Sequence, residues 1–186
     1  MIISRAALLL VPLFLSCARG PTEDFAAIPG DPQTLLGGLK SYSSPDAVAA
    51  ALGSRTWKVT EQSSLKPDDK RPSFNILSVV VVPYQDRGQR GELHLTFFNS
   101  RLMSSSFYPD DPGAYRASLG SFLAPEVRGG ELLPTHLRVW HAVDYEGREY
   151  FLWGDERLLK QQNRWLMKYS WVPPNQPLQA TASGRA

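Results

Sequence analysis

Cysteine is almost missing from this chain: 186 residues contain one, Cys17. An internal disulfide is therefore excluded, and beyond residue 17 so are a thiol nucleophile and cysteine-ligated zinc. Long hydrophobic runs are lacking too. The longest uncharged, Leu-rich stretch is Ala6–Leu15, whereas a membrane-spanning helix needs roughly 20 apolar residues. Neither sign of charge dominates, since 20 Lys and Arg stand against 18 Asp and Glu. That balance argues against a nucleic-acid groove or a polybasic membrane patch, both of which concentrate basic charge on one face.

Catalytic and metal-binding patterns are equally scarce. There is no G-x-S-x-G elbow, no H-E-x-x-H and no D-x-D-x-D-G calcium loop. Gly129-Gly130 is not followed by the basic helix start that a phosphate site requires. Of the three histidines, His136 and His141 are five apart on one expected strand and point to opposite faces. His94 alternates away from Leu93, Leu95 and Phe97. No metal, cofactor or catalytic residue is assigned, and a non-enzymatic role is expected.

What is present is a strong N-terminal signal. Arg5 precedes the apolar stretch Ala6–Leu15, and Leu15-Ser16 leads directly into Cys17. A run this short between a positive start and a small residue reads as a cleaved export signal over residues 1–16. These residues resemble the lipobox of bacterial lipoproteins, which implies that Cys17 becomes the lipidated first residue of the mature chain. By the same resemblance Ala18, rather than an aspartate, implies the outer membrane of a Gram-negative cell, facing the periplasm.

Residues 17–30 then read as a tether rich in Gly, Pro and small residues. Residues 31–172 read as one domain, and 173–186 as a disordered tail. Hydrophobic content of 42% and aromatic content of 11% are globular values. Three short helices carry punctuation, starting at Asp31-Pro32, Ser44-Pro45-Asp46 and Asp111-Pro112, with a stop at Gly53 for the second. The rest reads as strands, including Phe74–Tyr84, Gly91–Phe98, Leu137–Asp144, Glu149–Trp153 and Arg164–Trp171. The fold class is α+β: an antiparallel sheet of about six to eight strands with short helices on one face. Gly91–Leu102 aligns without gaps on Gly147–Leu158. A duplicated unit giving two similar halves is one reading; the other is that any hairpin with an Asn or Asp turn looks alike.

At Ser44–Gly53 followed by Trp57, the chain resembles small outer-membrane lipoproteins of the SmpA/OmlA type. Those proteins pair a lipobox and tether with a Val-x-x-x-Leu-Gly helix end, here Val48, Leu52 and Gly53, and an antiparallel meander. The tandem form of that architecture resembles β-lactamase inhibitory protein, which implies binding through an open sheet face. The expected function is a lipid-anchored periplasmic module that binds an envelope protein. Trp140 and Arg138 are candidate contacts on such a face, and Lys66, Lys70 and Arg71 on the loop 62–73. The alternative is a carrier or sensor with an apolar ligand between helices and sheet, in a cavity lined by Val80, Leu95 and Phe97.

Overall fold

The computed structural model describes residues 24–27, 30–53, 56–120 and 136–174. The expected signal, Cys17 and most of the tail lie outside the described residues. Six antiparallel strands form one sheet: β1 (Trp57–Ser64), β2 (Asn75–Asp86), β3 (Gln89–Phe98), β4 (Arg101–Pro109), β5 (Leu137–Val143) and β6 (Glu149–Asp155). Their spatial order is β1-β2-β3-β4-β6-β5. The α+β class and the antiparallel sheet read from the sequence are what the chain adopts.

Strict alternation decides which side of each strand is buried. Leu93, Leu95 and Phe97 of β3 are fully buried, as are Val79 and Val81 of β2 and Phe107 of β4. On this face they pack with Phe151, Trp153 and Val139, beneath the helices α1 (Pro45–Leu52) and α2 (Pro112–Leu119). Both helices begin as their sequence dictates. Ser44 accepts from the Ala47 N–H and Asp111 from the Ala114 N–H, each with Pro at the first turn. Gly53 and Gly120 then end them at positive φ.

The first expected helix is instead a single 3-10 turn, Leu36–Gly38, closed by a bridge between Thr34 and Lys40. Gly37 and Gly38 both take positive φ, which an α-helix cannot contain. Leu35, Leu36 and Leu39 are still buried in the core. The Leu36 N–H, lost to any helix, donates to the fully buried Ser105 hydroxyl at 3.0 Å.

A larger correction concerns Arg164–Trp171, read as a strand. Glu156–Tyr169 is one continuous helix, α3. Trp165 and Tyr169 do share a face, but because they are four apart on a helix. Met167 and Trp171, which alternation along a strand would place on that same face, are 82% and 90% exposed. Residues two apart and four apart cannot be told from each other when only the second are apolar for structural reasons. The segment from Glu156 to Tyr169 has no β-branched residue and starts behind an Asp cap, which was the helix signal available.

α3 packs across the opposite face of the sheet, at one end only. There Leu158, Trp165 and Tyr169 join Ile76, Phe98, Met103 and Phe25 in a second apolar cluster. Phe25 is 2% exposed, so the fold begins inside the segment read as tether. The sequence echo is local. Asn99-Ser100 closes the β3–β4 hairpin at positive φ, whereas Asp155-Glu156 opens α3.

Gly91 sits where the β4 backbone leaves no room for a side chain. A Cβ there would lie 2.1 Å from the Tyr108 carbonyl oxygen, too close for any side chain to adjust. Gly91→Ala is expected to lower unfolding stability by about 2 kcal/mol or more through forced backbone displacement. Urea denaturation checks this; a loss under 0.5 kcal/mol, estimated as an ordinary surface change, would show that β4 yields freely.

Candidate functional site

The half of the second face that α3 leaves uncovered is where polar and aromatic side chains meet. Antiparallel register places Lys58, Val80, His94, Ser106, Leu152 and Trp140 in one row across all six strands. The next row holds Glu92, Tyr108, Tyr150 and Ala142. Residues directly opposite share a face, so these rows follow from register alone.

The aromatic members form a ladder. His94 lies 4.3 Å from the Tyr108 ring, and Tyr108 stacks on Tyr150 at 5.0 Å and 20°. The Arg148 guanidinium sits 4.8 Å from the Tyr108 centroid, a cation–π distance. Arg148 is held by Asp144 at 3.1 Å, Glu146 at 3.2 Å and Glu92 at 3.5 Å. The His94 Nε2 is 3.0 Å from Glu92. Burial, with Asp144 and Tyr150 nearby, pushes the Tyr108 hydroxyl up, against the opposing charge of Arg148. Desolvation pushes the Asp144 carboxyl up as well. Backbone donors from Arg148 and Glu146 and the Arg148 guanidinium outweigh it and hold this carboxyl below the usual range.

Trp140 and Arg138 lie on this same uncovered face. Trp140 is half-buried on edge strand β5. Arg138 is clamped to Glu156 at 2.5 Å, and that bond, followed by one from Lys160, holds the Glu156 carboxyl low. The Arg138 side chain is still 44% exposed.

The loop candidates separate from them. Arg71 pairs with Asp69 at 2.6 Å and donates to the Tyr169 and Val172 carbonyls at 3.2 Å each. Its guanidinium is 5.5 Å from the Trp165 ring. Arg71 thus closes the C-terminal end of α3, satisfying carbonyls that a helix end leaves open. Lys66 and Lys70 are exposed on the same loop, and the Lys70 N–H donates to the Pro174 carbonyl at 3.0 Å. The structure brings Trp140 and Arg138 together and places Lys66, Lys70 and Arg71 beside the end of α3.

His94, Tyr108, Tyr150 and Arg148 were not singled out as site residues in the sequence. Their parity against Leu93, Phe107 and Phe151 was the available signal. What sequence could not give was the β4–β6 pairing, which skips β5 and stacks Tyr108 on Tyr150.

On the helix-covered face, His141 lies 2.8 Å from Glu149, and Arg116 of α2 reaches both, at 2.5 Å to Glu149 and 3.2 Å to His141. This cluster joins a base to a carboxylate, but its third member is a guanidinium. The triad arrangement needs a hydroxyl or thiol in that position. Val80 lies on the opposite face from Leu95 and Phe97, so those three do not line one cavity. A cleft of about 380 Å³ opens elsewhere, between the 3-10 turn and α1, lined by Gly37, Gly38, Lys40, Ala47, Ala51 and Tyr84 among others. Among the described residues no group of three or more His, Cys, Asp or Glu is placed to hold a metal ion. No described helix is long and apolar enough to cross a membrane.

Among the described residues the chain is an α+β domain in which α3 covers one half of the second sheet face. Comparison with protein-family models, curated proteins and solved structures gives no match to this chain.

Proposed function

We propose that this chain is a lipid-anchored lipoprotein of the outer membrane, facing the periplasm, and that it acts by binding an envelope protein through the uncovered sheet face. The observation that carries the binding reading is the cross-strand surface of Trp140, Leu152, Tyr150, Tyr108 and His94, flanked by Arg138 and Arg148. Aromatic and arginine side chains held rigidly on strands supply most of the energy in protein recognition. They lose little conformational freedom on docking, because stacking and ion pairs already fix them. Anchoring rests on residues 1–17, whose pattern is that of an export signal ending at a lipidated cysteine. The likeness to SmpA/OmlA-type lipoproteins adds a capped helix, α1, followed by the meander β1–β4.

The test is crosslinking in intact cells, followed by detergent extraction, capture on a C-terminal tag and mass spectrometry. A stoichiometric envelope protein crosslinked next to Trp140 is the expected result. Trp140→Ala should weaken that capture by about tenfold, the effect of losing one buried aromatic anchor worth 1–2 kcal/mol, with the circular dichroism spectrum unchanged. Undiminished capture by a folded Trp140→Ala chain would move the interface off this face. The carrier reading has one feature in its favour, the cleft beside α1. A ligand copurifying with the chain and lost on Ala51→Trp would support it.

A further inference from the structure

The end of α3 combines basic and exposed apolar side chains. From Arg157 to Val172 the chain contains Arg157, Lys160, Arg164 and Lys168 and no acidic residue. The near-zero balance of the whole chain conceals this local excess. Interleaved with those cations, Trp171 is 90% exposed, Met167 82% and Leu166 38%. Arg157 is committed to Asp155 and Lys160 to Glu156. Arg164 and Lys168, both exposed, lie toward the far end among these apolar side chains, and the Lys168 Nζ is 5.4 Å from the Tyr169 ring. The 65–74 loop, docked there by Arg71 and by the Lys70–Pro174 backbone bond, adds Lys66 and Lys70. Asp68 is the exposed acid on that loop, since Asp69 is taken by Arg71.

This end is also where the N-terminal segment joins the fold. The Phe25 ring meets Tyr169 edge to face at 5.8 Å. Arg101 fixes the backbone around it, donating to the carbonyls of Phe25, Ala26 and Ala27 at 2.6, 3.1 and 2.7 Å. Gln161 of α3 donates to the Ala27 carbonyl as well. Seven peptide steps separate Cys17 from Asp24, and fully extended they span at most about 25 Å. Lipid on Cys17 would therefore keep the Phe25–Tyr169 end within that distance of the bilayer.

We propose that the outer end of α3, formed by Leu166, Met167, Trp171, Arg164 and Lys168 with Lys66 and Lys70, is a lipid-facing surface that rests on the anionic headgroup layer of the bilayer holding Cys17. The inference rests on the lipoprotein reading and deepens it, by stating which end of the domain touches the membrane. Its chemistry is that of an interfacial helix. A tryptophan and a methionine enter the boundary between headgroups and acyl chains, while lysine and arginine stay with the phosphates. Each cation near an anionic surface contributes on the order of 1 kcal/mol. Contacts this weak matter only because the anchor supplies a high local concentration. Docking in this way would fix the orientation of the domain and leave the Trp140 face for a partner.

The test uses the full chain, isolated from membranes in detergent and reconstituted into phosphatidylethanolamine–phosphatidylglycerol vesicles, with and without lipids brominated along the acyl chain. Intact mass of the same sample reads the lipid on Cys17. Bromine should quench part of the tryptophan emission, and Trp171→Phe, at an exposed position, should remove that quenchable part. Met167→Glu should reduce the quenching while circular dichroism stays unchanged. Equal fractional quenching in wild type and Trp171→Phe, or none in a chain shown to carry lipid, would overturn the lipid-facing surface alone. A mature chain whose mass shows an unmodified Cys17 would overturn the anchor, and this proposal with it.

Discussion

Asp155→Ala is expected to lower unfolding stability by about 3–5 kcal/mol, the usual result of stripping one partner from a buried ion pair. The Asp155 side chain is fully buried and joins three parts of the fold. One oxygen accepts from the Arg157 N–H and Nε at 3.0 and 3.1 Å, capping α3. The other accepts from Arg157 at 2.9 Å and from the Ser41 hydroxyl at 2.8 Å. Ser41 in turn accepts from the Gln33 N–H at 2.8 Å, and Arg157 donates to the Asp31 carbonyl at 2.6 Å. Removing the carboxylate leaves Arg157, 13% exposed, without a countercharge, and uncaps α3.

The pH dependence follows from the same contacts. Burial pushes the Asp155 carboxyl up, but the Arg157 guanidinium, the Ser41 hydroxyl and the Arg157 N–H bring it below the usual carboxylate range. A depressed folded value means that the stabilisation is complete above the unfolded carboxyl pKa of about 3.9. It disappears as pH falls through the lower folded value. Wild type should lose stability below about pH 4, and Asp155→Ala should lack that part of the acid loss. Urea midpoints at pH 7 and pH 3 check both; a wild-type–variant gap that does not narrow in acid would show that Asp155 is not ionised in the folded state.

Arg101→Ala is expected to cost about 3 kcal/mol or more, and to release the N-terminal segment. Arg101 is 7% exposed, packs 5.8 Å from the Phe98 ring and donates to three backbone carbonyls and to Gln161. Charge-assisted bonds of this kind are worth about 1.5–3 kcal/mol each when the acceptors are left behind unpaired. Arg101→Lys should recover only part, because one ammonium cannot reproduce the fork that spans Phe25, Ala26 and Ala27. Limited proteolysis reads the local effect. Cleavage near residues 24–27 should rise in Arg101→Ala well before global unfolding. Equal cleavage rates in wild type and variant would mean that Phe25 alone seats the segment.

Much of the frame was legible in the residues themselves. Phe74–Tyr84 reads as a strand, and Leu93, Leu95 and Phe97 read as one face apart from His94, because a strand repeats every two residues whatever its neighbours. Ser44-Pro45 and Asp111-Pro112 likewise fix helix starts locally, through one side-chain bond and one missing N–H. Arg71 and Arg101 were opaque for the opposite reason. An arginine in a polar loop, or beside a hairpin turn, looks solvated until the carbonyls it serves, those of Tyr169 and Val172 for Arg71 and of Phe25–Ala27 for Arg101, arrive from distant parts of the chain. Trp165 and Tyr169 were misread because a spacing of four suits a strand face and a helix face alike.

The sequence by itself therefore determined the α+β class, the antiparallel strands, two capped helices and the N-terminal pattern ending at Cys17. These depend on alternation, caps and composition, all carried within a few residues. Only the tertiary structure decided that β4 pairs with β6, that α3 covers half of the second face, and that Phe25 belongs to the core. It also decided which polar groups stay exposed. Those outcomes depend on which distant surfaces bury each other, and burial is a property of the assembled chain rather than of any segment.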